Sequence, residues 1–223
     1  MSHPPTNPHG PQKEILMRSW RKTVLATALL MALPTLVAGQ RTITVRGGLS
    51  IASLGGDDAT DVDSRNGLNV GAFFDLPMSD VLGVQLGVAY VQKGGVDTEA
   101  GVETELKLNY VELPLLLRIS PAMGGNVGFD FFVGPVFSFN TNCEVADATQ
   151  TFQCTNPQVG LDAKSQEWGA MVGAGLDYGV SESVSLVLDV FYNYGFATID
   201  NSGVDDVKNR SFSIVAGVSF PAS

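Results

Sequence analysis

From Arg41 to Phe220 apolar residues recur at every second position in eight runs, and no 3.6-residue stripe competes with them. In the second run Leu68, Val70, Ala72 and Phe74 alternate with Asn69, Gly71, Phe73 and Asp75. The third sets Leu82, Val84, Leu86, Val88 and Tyr90 against Gly83, Gln85, Gly87, Ala89 and Val91. The fifth sets Val127, Phe129, Phe131, Val133, Phe137 and Phe139 against Gly128, Asp130, Phe132, Gly134, Ser138 and Asn140. The sixth (Trp168 to Tyr178), seventh (Val184 to Tyr194) and eighth (Phe212 to Phe220) repeat the pattern, and the first (Thr42 to Ala52) follows it less cleanly. Successive side chains of a strand point to opposite faces, so each run predicts a strand with one apolar face.

The second face decides the environment. A soluble barrel would turn its apolar set inward and show Lys, Glu and Thr to water. Here the alternate set is mostly Gly, Ser, Asn, Gln and Asp, including Gly83, Gly87, Gly128, Gly134, Gly169, Gly173, Gly175 and Gly217. That set suits the tight lumen of a narrow barrel, which leaves the apolar set for lipid. Tyr90, Trp168, Tyr178, Tyr192 and Tyr194 fall near run ends, where interfacial aromatics belong. Connections alternate: those after runs two, four and six are short, and those after runs one, three, five and seven are long. The expected fold is all-β, an eight-stranded antiparallel up-and-down transmembrane β-barrel with tight periplasmic turns and long external loops.

Ahead of the runs, Met17-Arg18-Ser19-Trp20-Arg21-Lys22 is basic, Thr23 to Val37 is apolar, and Val37-Ala38-Gly39 is small. This is the order of a secretory signal peptide, and the apolar stretch is too short for a comfortable membrane span. Residues 1–39 are therefore expected to be a leader and signal peptide that is removed, and 40–223 the barrel domain. Their separation makes the mature part more acidic, with 9 basic against 22 acidic groups and a net charge of −13. The acid is concentrated in the expected external loops: Asp57, Asp58, Asp61 and Asp63; Asp97, Glu99 and Glu103; Glu144, Asp147, Asp162 and Glu167; Asp200, Asp205 and Asp206. No basic patch offers itself to nucleic acid. Both histidines, His3 and His9, lie in the leader, so the mature part has no imidazole to serve as a general base.

The fourth run, Asn109-Tyr110-Val111-Glu112-Leu113-Pro114-Leu115-Leu116-Leu117-Arg118 preceded by Gln92-Lys93-Gly94-Gly95, carries a more specific signal. It resembles the Tyr-x-Glu-x-Pro-Leu-Leu-Leu-Lys/Arg strand and preceding Lys-Gly turn of the outer-membrane beta-barrel domain family, often labelled porin-like. The resemblance spans about residues 41 to 220. It implies an eight-stranded barrel in a bacterial outer membrane, with outer-membrane lipid and the barrel-assembly machinery as partners. It implies no particular activity. One departure is that Pro221-Ala222-Ser223 follows Phe220, where such barrels usually end on the aromatic residue.

With Val111, Leu113, Leu115 and Leu117 facing lipid, Tyr110, Glu112, Leu116 and Arg118 face inward, and Pro114 marks a bulge or irregularity. Leu106 and Leu108 sit opposite to the lipid-facing parity, so a register shift near Tyr110, or a rise above the bilayer, is expected. Inward parity also collects Arg46, Asp75, Gln85, Asp130, Asp177 and Asp189. Buried charges of both signs must pair, so Arg46, Asp75, Glu112, Arg118, Asp130, Asp177 and Asp189 form a candidate lumen charge network. Cys143 and Cys154, in the longest loop of an exported chain, are a candidate disulfide. No metal site or cofactor is expected: the run Asp57 to Asp63 lacks the EF-hand spacing, since Arg65 takes the fifth position from Asp61. Three functions stay open: a non-catalytic barrel that meets a surface ligand through its external loops, a narrow channel for small solutes, and an enzyme acting on envelope lipid, which the missing histidine disfavours.

Overall fold

The computed structural model describes residues 40–57, 62–99, 101–122, 125–156, 159, 163–201 and 206–222. The expected leader 1–39 lies outside the described residues, as do Asp58, Asp61, Asp162 and Asp205 of the expected acidic loops.

Among the described residues the unit Ala38–Ser223 has strands as its only regular elements: β1 (Thr42–Gly55), β2 (Asp63–Pro77), β3 (Leu82–Glu99), β4 (Val102–Ile119), β5 (Val127–Ala146), β6 (Thr151–Gln153), β7 (Gln166–Ser181), β8 (Val184–Gly195) and β9 (Lys208–Pro221). Each run of alternation sits within one of the long strands. Every long strand pairs antiparallel with its neighbours in the chain, and β1 pairs β9 from Thr42↔Pro221 to Gly55↔Lys208. The sheet therefore closes into an eight-stranded barrel, with β6 a short addition to the external end of β5. Closure removes the free sheet edges, which matters where no water can satisfy backbone groups.

The outer face is apolar and open. Leu49 is 59% exposed, Val88 55%, Phe131 50% and Leu186 51%. A soluble monomer does not present a belt of this size to water. Trp168, Tyr178, Tyr192 and Tyr194 project outward from the same face. On β9 the outward set is Phe212, Ile214, Ala216, Val218 and Phe220.

Two local expectations change, and two hold in a different form. The connection between β3 and β4 is a protruding hairpin, whose pairing runs up to Glu99↔Val102, rather than a long loop. Lys93 and Gly94 belong to the middle of β3 and form no turn. On β4 even-numbered residues stay inward throughout, so Leu106 and Leu108 break no parity. The register shift expected near Tyr110 is present, between Asn109 and Tyr110, but it is carried by β5, where Thr141 is the extra residue between the pairs Asn109↔Asn142 and Tyr110↔Asn140. Its hydroxyl donates to Asn109 O at 3.1 Å, meeting the carbonyl that the irregularity exposes. Pro114 marks the expected irregularity, though not a bulge: the β3–β4 ladder is interrupted between Leu86↔Leu115 and Ala89↔Glu112 and resumes in the same register.

Candidate functional site

The lumen is the place where this sequence concentrates chemistry. Glycines make room there for large neighbours across the ladder. A Cβ on Gly87 would stand 2.4 Å from the Phe73 ring, one on Gly173 2.4 Å from Phe191, and one on Gly175 1.9 Å from Asp189 Oδ1. Each pair is directly opposed in register. The glycine-rich inner face is thus filled by phenylalanine and charge from the adjacent strand.

Near the short turns, Arg118 of β4 clasps Asp130 of β5 through Nε at 3.0 Å and Nη2 at 2.8 Å. Its Nη1 lies 3.4 Å from Asp75 of β2, and Ser120 donates to Asp130 at 2.5 Å. Gln85 of β3 donates to Asp75 at 2.9 Å and accepts from Arg46 of β1 at 3.2 Å, joining this layer to the next. There Arg46 Nε lies 2.8 Å from Asp189 Oδ2 of β8, with both side chains almost wholly buried. The Arg46 guanidinium also lies over three rings, 4.4 Å from the centre of Phe73 and 5.4 Å from those of Phe132 and Phe191. Rings of this kind partly replace the water that a buried cation loses.

Beyond Arg46 the lumen is apolar, packed with Leu116, Phe132, Val136, Met171, Phe191 and Val215. The cavity between Arg46 and Glu112 measures about 10 Å³, room for at most one water. A second polar layer follows. Glu112 of β4 pairs with Lys93 of β3 at 2.5 Å and accepts from Ser138 and Asn193, each at 3.1 Å. Toward the outside the Tyr110 hydroxyl donates to Glu167, which also accepts from Asn209 at 2.9 Å. Leu108, Tyr110 and Ile199 cap this end, with Leu54, Leu106, Cys143 and Val207 packed against them.

Of the seven expected network residues, Arg46, Asp75, Arg118, Asp130 and Asp189 come together in the layers nearest the short turns. Glu112 lies across the apolar belt from them and pairs with Lys93 instead. Asp177 is half-buried and takes a hydrogen bond from Ser185, with no ion pair among the described residues. Sequence reasoning missed Lys93, although it shares the inward parity of Gln85 and Val91. Glu167 and Asp200 were expected among the acidic residues of the external loops. Both are buried, at 6% and 5% exposure, Glu167 because it already occupies an inward position of β7.

Outside the membrane belt, Cys143 and Cys154 form a disulfide, with Cα atoms 5.4 Å apart, which ties the end of β5 to the residue after β6. In the β5–β6 turn Asp147 accepts from the amides of Thr149 at 2.7 Å and Gln150 at 2.8 Å and from the Thr149 hydroxyl. These bonds hold its carboxyl below the usual range. On the outer part of β4, partial burial raises Glu105, but hydrogen bonds from Arg65 and Lys107 outweigh it and leave the carboxyl low. A groove of about 630 Å³ between the β3–β4 hairpin and this turn is lined by Glu103, Glu105, Lys107, Asp147 and Thr151. Among the described residues no group of three or more His, Cys, Asp or Glu is placed to hold a metal ion.

A closed barrel with a lipid-facing apolar belt and a filled lumen defines an integral outer-membrane β-barrel. Residues 37–201 match the family described as outer membrane protein beta-barrel domain, and the chain belongs to that family. The protein resides in the outer membrane. Among solved structures, Neisserial surface protein A is similar at 17% identity and a TM-score of 0.50, over 81% of this chain and 97% of that one. A major outer membrane protein from Thermus thermophilus is similar at 14% identity and a TM-score of 0.51, over 82% of this chain and 100% of that one. OprG from Pseudomonas aeruginosa is similar at 16% identity and a TM-score of 0.47, over 83% and 99%. Likeness at these identities concerns the fold alone. No curated protein matches the chain.

Proposed function

We propose that the protein is a non-catalytic structural barrel, exported by its signal peptide, shut to solutes by its lumen and working through its external surface. The observation that carries this reading is the filled cross-section. An apolar belt stands between two layers of paired charge, and the cavity left there is about 10 Å³. An ion entering that belt would lose its hydration and meet side chains already committed to one another. The mature part has no histidine, and among the described residues Asp75, Glu112, Asp130, Glu167 and Asp189 are each engaged by arginine, lysine, amide or hydroxyl groups, which offers no poised nucleophile and base there. The acidic groove beside the β3–β4 hairpin is the place for a surface ligand, and its charge favours a basic partner.

Single-channel recording of the refolded protein in planar bilayers tests the closure. The expected trace is silent in the starting protein and in a variant with the external hairpins trimmed. Steady conductance from the untrimmed barrel would replace this reading with that of a narrow solute channel. If Arg118→Ala opened a conductance while leaving the unfolding midpoint unchanged, the charge layer would be a gate.

A further inference from the structure

Nine basic residues lie between Arg41 and the C-terminus, and six of them, Arg46, Arg65, Lys93, Lys107, Arg118 and Lys208, form ion pairs. Arg210 is one of three without an ion pair among the described residues. It occupies an outward position of β9, one step above the lipid-facing Phe212, and its register partner on β8 is Tyr194. Its guanidinium carbon lies 5.1 Å from the centre of the Tyr194 ring. That ring is one end of an outward aromatic cluster: Tyr194 and Phe196 are 5.6 Å apart, and Phe196 and Trp168 5.0 Å. Gly55 of β1 leaves the space in which the guanidinium rests, since a Cβ there would stand 2.6 Å from Arg210 Cζ. The Arg210 Nε is buried and has no hydrogen-bond partner.

We propose that this rim of β7, β8 and β9 binds the phosphate of an anionic lipid headgroup, with Arg210 as the cation that takes it. Tyr and Trp rings settle at the level of the headgroups, so the cluster fixes the depth at which the guanidinium stands. A planar guanidinium can present two parallel N–H donors to two phosphate oxygens; Nε is covered beside Gly55, and the two terminal Nη groups, which make no hydrogen bond among the described residues, are the donors offered here. The net charge of −13 and the acidic external loops repel a free anion arriving from solution. A lipid anion arrives sideways, within the membrane plane, below those loops. Arg41 and Lys164, the other two cations without an ion pair, have no such aromatic seat among the described residues.

Trp168 reports on this site. Trp20 is the only other tryptophan in the chain, so Trp20→Phe leaves a single fluorophore, at the far end of the aromatic cluster on which Arg210 rests. The protein is refolded into phosphatidylcholine vesicles carrying a minor fraction of lipid brominated on its acyl chains, either phosphatidic acid or phosphatidylcholine. Quenching is expected to show about fivefold enrichment of phosphatidic acid next to Trp168, the preference one arginine gives at a membrane surface. Arg210→Gln should bring the two lipids to parity, while Arg41→Gln leaves the enrichment in place. Gly55→Ala displaces the guanidinium without removing its charge and should also reduce the enrichment, which keeps the test open if Arg210→Gln fails to fold. Equal quenching by the two lipids in the starting protein, or enrichment that survives Arg210→Gln, would overturn the proposal. Abolition of the enrichment by millimolar inorganic phosphate would assign the site to a free anion and overturn the lipid assignment.

Discussion

Arg46 and Arg118 are both inward arginines on barrel strands, yet their surroundings differ. Arg118 is 26% exposed at the side chain and touches two carboxylates near the mouth, whereas Arg46 is 4% exposed and has one, together with three rings. Removal of Arg46 would strand Asp189 in a site water cannot reach, and breaking a buried pair costs about 3–5 kcal/mol. Arg46→Ala should therefore lower the urea unfolding midpoint in micelles by more than Arg118→Ala, where water at the mouth can solvate Asp130. Asp57→Ala, on the exposed external side, should change stability by about 0.5 kcal/mol or less. Equal midpoints for Arg46→Ala and Asp57→Ala would show that the lumen pair contributes nothing to stability. Parity placed both arginines inward, but one-dimensional spacing carries no record of depth, so their different weights were not legible.

At the scale of elements, the β5–β6 hairpin depends on two fastenings of different kinds. Its disulfide closes a ring running from Cys143 to Cys154, worth roughly 3 kcal/mol in the chain-entropy picture. A thiol-reactive label should add nothing to the native unreduced protein and two groups after reduction and unfolding. Labelling of both thiols without reductant would rule the bridge out. The second fastening is the Asp147 turn. Its carboxyl is depressed in the folded protein, so the stabilising contribution is present above the unfolded value and is lost as pH falls through the lower folded value. Amide resonances of Thr149 and Gln150 should hold their positions at neutral pH and move together only below about pH 3.8, the unperturbed value. Movement centred at or above that pH would show that the turn does not stabilise the carboxylate. The two cysteines were readable as a pair. The three-residue β6 was not, because a strand that short has too few alternating positions to register as a run. A register shift near Tyr110 was expected, but that Thr141 of β5 carries it was not legible, since a shift between two strands is a property of their pairing and leaves β4 itself in strict alternation.

For the molecule as a whole, alternation alone determined the class of fold and the membrane it suits. Eight apolar faces with no polar covering can be satisfied only by lipid, and strands in lipid must close on themselves because no water is available for an open edge. Side-chain polarity at every second residue is a local quantity, which a linear sequence records in full. The partnerships were decided by the tertiary structure. Lys93 meets Glu112, Arg46 meets Asp189 over the intervening β9, and Glu167 joins Tyr110 and Asn209 inside the barrel, away from the loop its sequence neighbourhood implied. Each of these joins residues at least 19 positions apart, on strands whose tilt and stagger set which inward positions share a level. Parity tells a residue which side of the sheet it faces; only the shear of the closed barrel tells it whom it faces.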